Sequence, residues 1–137
     1  MINKLFYIIY NSYYKNGEYK DDTPSLTVGG IFLICFFCSG LSILNIIGWV
    51  DPLYYHMKLS KTTVFLEIIL YGSIVYFLFY HNKRYQRIYE KYKEDAFLNS
   101  QLAKFIGFFI VILIIISPFM LALVHDRIFL GHWMRIS

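Results

Sequence analysis

The sequence predicts an all-α membrane protein: three transmembrane helices, an N-terminal interfacial helix and a basic cytoplasmic extension of the second helix. Three observations carry that expectation. Hydrophobic residues make up 58% of the 137-residue chain, charged residues only 16%, and mean hydropathy is +0.50, whereas a soluble domain carries about 25% charged residues. The apolar residues gather into three long runs, each close to the ~20 residues that cross a hydrocarbon core. The net charge of +4 accompanies no nucleic-acid fold signature and is better read as loop charge facing anionic headgroups. The length fits one integral membrane domain, 1–137, with no internal repeat and no linker.

Residues 1–26 form a polar, tyrosine-rich lead-in. Leu5, Ile8, Ile9 and Tyr13 recur at helical spacing, which predicts a short amphipathic helix lying on the membrane surface. The run Leu5 to Tyr10 is too short for a signal-peptide core, and no small-residue cleavage site follows. Lys15-Asn16-Gly17 reads as the stop of this helix. Asp21 to Pro24 then forms a polar break.

The first span, 28–50, runs 23 residues without a charge and ends beside Trp49, where interfacial aromatics belong. Asp51-Pro52 stops it. The second, 62–80, is interrupted only by Glu67, and the short loop between them predicts antiparallel neighbours. The third, 103–124, holds Lys104 in its first turn and Ser117-Pro118 in its second half, where proline removes a backbone bond and kinks a helix. Residues 81–102 contain neither Gly nor Pro; Tyr85, Ile88, Tyr89 and Tyr92 share one helical face, and basic residues crowd the others. The second span should therefore continue as a basic cytoplasmic helical loop, or bend onto the bilayer surface. Residues 125–137 form an outer tail.

Three spans put the N-terminal segment on the same side as the 81–102 loop. That side carries Lys4, Lys15, Lys20, Lys83, Arg84, Arg87, Lys91, Lys93 and Lys104, against Lys58, Lys61, Arg127 and Arg135 on the other. Basic residues favour the cytoplasm, so a bacterial inner-membrane protein is expected with its N-terminus cytoplasmic and its C-terminus outside, in the periplasm.

Several groups of residues could carry function. Glu67 is an ionisable group within a span, a costly placement that points to an ion site or a polar helix contact. It lies five residues past Thr62, near the outer interface, at the depth expected for Asn45. With Tyr71 four residues on and Ser117 beside Pro118, it predicts an intramembrane polar cluster of Asn45, Glu67, Tyr71 and Ser117. Cys35, Cys38, Ser42, Asn45 and Gly48 follow spacings of three and four, and Cys35, Cys38, Ser42 and Gly48 give a small-residue helix-packing face for the internal bundle or a second copy. The Cys35–Cys38 spacing is that of redox and zinc motifs, but a hydrocarbon setting disfavours the thiolate those chemistries need, so packing is the better reading. Lys83, Arg84, Arg87 and Lys91 are candidates for cytoplasmic lipid or partner contact, or simply a positive anchor. His125, Asp126, Arg127, His132 and His56 gather at the outer side and read as interfacial polar residues rather than metal ligands. No P-loop, dinucleotide-binding glycine pattern, nucleophile elbow or zinc-protease motif occurs, and no paired catalytic groups lie inside the spans. The expectation is a protein with no catalytic residue, no cofactor and no metal.

Two stretches, MINKLFYIIYNSYYKNG from Met1 to Gly17 and FLFYHNKRYQRIYEKYK from Phe77 to Lys93, give the chain its character. In their order it resembles a loose group of small three-span membrane proteins of Bacteroidota-type bacteria. The resemblance implies an immunity or accessory role beside a secreted toxin and assigns no residue a role.

Residues and resemblance together lead to a non-catalytic, multi-pass inner-membrane protein that binds another membrane protein. The alternative is an oligomeric ion channel or transporter component using Glu67. The expected partners are the lipid bilayer and either a membrane protein or a second copy, with no nucleic acid. Cysteine-accessibility mapping should place Ser137 outside the cytoplasm; finding it inside would overturn the orientation.

Overall fold

The structure is a computed structural model and describes residues 1–15, 18–19, 24–50 and 60–129. It is all-helical, with three helices long and apolar enough to cross a membrane. Helix α1 (Ile2–Tyr13) leads into a minimal antiparallel pairing of β1 (Tyr14–Lys15) with β2 (Glu18–Tyr19). Helix α2 (Pro24–Val50) opens on proline, a residue suited to a first helical position. Helix α3 (Lys61–Val75) is capped by Ser60, whose Oγ accepts from the Thr63 amide at 3.1 Å. Helices α4 (Arg84–Tyr92) and α5 (Gln101–Phe129) follow.

Helix α2 is the middle of a row. One of its faces receives α3 antiparallel: the Tyr80 phenol lies over Gly29, the Leu33 side chain over Gly72, and the Tyr71 phenol over Gly40. Each tyrosine sits so close that a Cβ at the glycine would collide with it. The opposite face receives α5 parallel, with Ser42 meeting Ser117, Asn45 meeting Pro118, and the Trp49 ring 6.1 Å from His125. Helices α3 and α5 meet each other marginally at most. Small residues permit these approaches, and they matter because apolar contact alone does not drive helices together in lipid.

The second span does not run on as a continuous helix. Residues Tyr76–Tyr80 widen into a π-helical turn and His81–Lys83 tighten into a 3-10 turn. Asn82 and Lys83 both take φ of 54°, a left-handed conformation that asparagine tolerates and lysine does not favour. The chain therefore turns, and α4 lies against α1. Beyond Tyr92 the expected helical loop gives way to turns up to Ser100. There Asp95 Oδ1 accepts from the amides of Phe97 and Leu98 at 3.0 and 3.1 Å, which competes with helix continuation. Ser100 then caps α5, its Oγ accepting from the Ala103 amide at 3.1 Å.

Helix α5 passes through Pro118 unbroken. Proline leaves the carbonyl four residues earlier without its amide. The Ser117 hydroxyl donates to that carbonyl, Ile114 O, at 2.8 Å.

Helix α1 is present, but it is not a one-faced surface helix. Phe6, Tyr7, Ile8, Ile9 and Tyr10 are consecutive and all buried. At about 100° per residue five successive positions sweep the whole circumference, so the middle of α1 is buried all round, while Ile2 and Lys4 stay exposed. It packs on α2, α4 and α5 at one end of the row. The Phe6 ring stacks on Phe79 at 4.2 Å and lies 5.6 Å from Phe32. Ile8 approaches Gly107 so closely that a Cβ there would stand 2.7 Å from its Cγ2. Tyr7, Tyr10 and Tyr14 meet Tyr89 with ring centroids 5.9, 5.9 and 5.0 Å apart. Thus the α4 tyrosines face α1.

Asn99 ties this end together. Its Oδ1 accepts from Tyr7 Oη at 2.6 Å and Asn11 Nδ2 at 2.9 Å. Its Nδ2 donates to the carbonyls of Lys93 and Asp95 at 2.8 and 2.9 Å. All four hydrogen-bonding positions of the amide are used. Burial pushes the Tyr7 phenol above its usual pKa, with Tyr89 adding and the Asn99 bond opposing, so at neutral pH Tyr7 is a donor. Asn99→Ala removes the partner of Tyr7, Asn11 and the Lys93 carbonyl, while the Asp95 carbonyl keeps the residue-99 amide at 3.1 Å, and it should cost about 2–3 kcal/mol in detergent unfolding, against about 1 kcal/mol for Tyr7→Phe. Equal small losses would show that Asn99 is not a hub.

Candidate functional site

The expected cluster of Asn45, Glu67, Tyr71 and Ser117 divides across α2. On the α5 side, Asn45 Nδ2 donates to Pro118 O at 3.3 Å, and the hydroxyls of Ser42 and Ser117 lie 2.7 Å apart. Ser42 also reaches Cys38 O at 2.9 Å, so two hydroxyl protons are shared among three contacts. Tyr71 is on the α3 side, over Gly40 and with its ring 6.4 Å from Phe37. Glu67 joins neither group. It is half-buried and makes no hydrogen bond or ion pair with any described residue. Equal depth placed Asn45 and Glu67 together in the sequence reading, but their azimuths about α2 differ.

The small-residue face points inward. Cys35, Cys38 and Gly48 are buried, both thiols are free, and the face continues through Ser42 to α5. At the far end His125 and Asp126 are buried, with Nδ1 and Oδ1 3.4 Å apart. The Trp49 ring lies 6.1 Å from that of His125. His56 and His132 lie outside the described residues. Among the described residues, no three His, Cys, Asp or Glu side chains group as metal ligands do.

The α2–α3 seam is closed from Tyr80 to Tyr71 and open beyond. Ile47 lies seven residues past Gly40, on the same face of α2, yet is 40% exposed; Leu44 is 41% and Ile43 58% exposed. Val64, Glu67, Tyr71 and Val75 form the matching stripe of α3, by spacings of three and four. By spacing, Glu67 lies on the stripe turned toward these exposed apolar residues, which leaves an apolar notch beside it among the described residues. The sequence holds the signal for this in the glycines: Gly29, Gly40 and Gly72 occur only in the closed part of the seam.

A second concavity, about 370 Å³, lies at the other end, between the start of α1 and the α3–α4 turn. Arg84, Arg87 and Lys91 line it from positions i, i+3 and i+7 of α4. Lys83, grouped with them by sequence, does not line it. His81, Asn82 and Asn3, which sequence reasoning passed over, do. Arg87 Nη2 donates to Asn82 O at 3.2 Å, which holds the guanidinium against the turn.

Comparison with protein-family models, with curated proteins and with solved structures finds no match.

Proposed function

We propose that this is a non-catalytic, multi-pass inner-membrane protein that acts by binding another membrane protein, with α1 and α4 on the cytoplasmic side and α1 at interfacial depth. An immunity or accessory role beside a toxin is the version implied by the resemblance to small three-span proteins. The observation that carries the reading is Glu67 beside the open notch. A carboxyl within a span is costly unless paired or reached by water. Here it lies about 9 Å along the helix from Lys61, six residues on at about 1.5 Å each. Leu44 and Ile47 are exposed on the α2 face that continues from Gly40, and Glu67 has no hydrogen bond or ion pair among the described residues. A partner helix bearing a basic or hydrogen-bond-donating residue would fill the notch and answer the carboxyl.

The orientation is supported by charge. The end holding α1 and α4 carries Lys4, Lys83, Arg84, Arg87, Lys91, Lys93 and Lys104, while Lys61 and Arg127 are the described basic residues at the other. The channel alternative is less well supported. Three helices in a row, with α3 and α5 on opposite faces of α2, enclose no passage among the described residues, so it would need several copies around a shared path.

A photo-crosslinking residue at Ile47, in native membranes, should capture a second polypeptide. The same probe at Ile112, on an exposed part of α5, should capture lipid only. Glu67→Ala should cut the Ile47 product at least tenfold, and Glu67→Gln should retain part of it. Capture of a second copy would favour the channel reading; capture of lipid alone would overturn partner binding at the notch.

A further inference from the structure

We infer that the basic cleft beside α4 binds the phosphate of one anionic phospholipid. This site is separate from the notch, at the opposite end of the spans, and does not depend on the partner-binding reading. Arg84, Arg87 and Lys91 converge on it from one face of α4, with His81 beside them. No carboxylate lines it among the described residues. Glu90 is engaged with Lys93 in an ion pair of 2.5 Å, and Asp95 Oδ1 accepts from backbone amides. Three cations with no counter-charge in one cleft call for an anion. Guanidinium groups match phosphate oxygens in pairs.

The position of the cleft selects a lipid over a soluble anion. Its floor includes Phe77, on the last turns of the span, which is 63% exposed; the neighbouring Tyr76 is 54% exposed. The charged wall therefore meets the lipid-facing surface at one corner. A phospholipid has the same division, with its phosphate at the headgroup and its chains along the span. A free phosphate would gain nothing from Phe77. The cations also discriminate between lipids. A choline ammonium finds no carboxylate there and is repelled, whereas a glycerol headgroup presents hydroxyls that Asn3 and Asn82 can hydrogen-bond.

The left-handed turn makes the cleft. Were the span to continue straight from Tyr80, the basic face of α4 would extend into water. With Asn82 and Lys83 at positive φ, the chain turns and sets Arg84 and Arg87 beside Phe77.

The test uses the full-length chain, delipidated in a neutral detergent and titrated in native mass spectrometry. The probes are phosphatidylglycerol, phosphatidylcholine of matched chains and inorganic phosphate. One phosphatidylglycerol should bind at least tenfold more tightly than phosphatidylcholine. The triple variant R84Q/R87Q/K91Q should lose about a hundredfold of that affinity, from three interfacial cations acting together. The variant K83Q/K93Q, which removes exposed charges outside the cleft, should keep it. Equal binding of the two lipids by the unaltered chain overturns the proposal whether or not any variant folds. So does equal loss in the two variants, which would mean diffuse surface charge. Displacement of the lipid by equimolar inorganic phosphate would assign the site to a soluble anion and overturn the lipid assignment.

Discussion

The Phe6 ring, stacked on Phe79 and close to Phe32, is the contact on which this architecture turns. Those three rings belong to α1, to the π-helical end of the second span and to α2. Each such aromatic pair contributes about 0.5–1.5 kcal/mol beyond the area it buries. Their consequence is geometric. Phe6 is fully buried, so α1 must cross the end of the row rather than float over it. With α1 there, the chain leaving Tyr80 cannot continue straight without abandoning the tyrosine contacts between α1 and α4. The left-handed pair Asn82 and Lys83 is the backbone's answer, at a strain of about 1–2 kcal/mol for lysine. Asn99 then fixes the return into α5.

Most of the buried hydrophobic core lies at that end. Phe6 to Tyr10, Val28, Phe32, Val75, Phe79, Ile88, Leu98 and Ala103 are all close to α1 or to what it touches. The far half is held differently. There α2 and α5 are joined by Ser42, Asn45, Ser117 and the Pro118 carbonyl. Hydrogen bonds between transmembrane helices contribute about 0.6 kcal/mol each on average, enough to set register and too little to clamp three helices. On the other side, Leu44 and Ile47 are exposed on the α2 face that continues from the Gly40–Tyr71 contact. A firm end and a loose end in one small protein give it two different surfaces. The firm end presents a fixed basic cleft to headgroups, and the loose end an unfilled notch with a carboxylate beside it.

Much of this was legible in the sequence. Hydropathy located three spans, because crossing a bilayer demands about 20 apolar residues in a row whatever surrounds them. The stripe from Cys35 to Gly48 and the tyrosine face of α4 were readable from spacing alone. What surrounds a face was not. Spacing marks Leu5, Ile8 and Ile9 as one apolar face, but it does not tell that Phe6, Tyr7 and Tyr10 on the other faces are buried too. Lys15-Asn16-Gly17 reads as a helix stop and α1 ends at Tyr13, while Asn16 and Gly17 themselves lie outside the described residues. Depth arguments put Asn45 level with Glu67, but depth gives no azimuth, and α3 and α5 lie on opposite faces of α2. Lys83 was grouped with its basic neighbours because a positive φ leaves no mark on a lysine. Tyr7 and Asn11, spaced i and i+4, did hold a signal: two polar groups on one face of an apolar helix ask for a shared partner, which is Asn99.

Helix α1 packs as a wedge across the end of the row, and that packing positions α4. Hydrogen–deuterium exchange of the protein in lipid nanodiscs tests it most directly. Amides of Phe6 to Tyr13 should exchange as slowly as the first turns of α5, and Phe6→Ala should release α1 and α4 together while the far half of α2 stays protected. Rapid exchange throughout α1 in the unaltered protein, with α4 still protected, would contradict it.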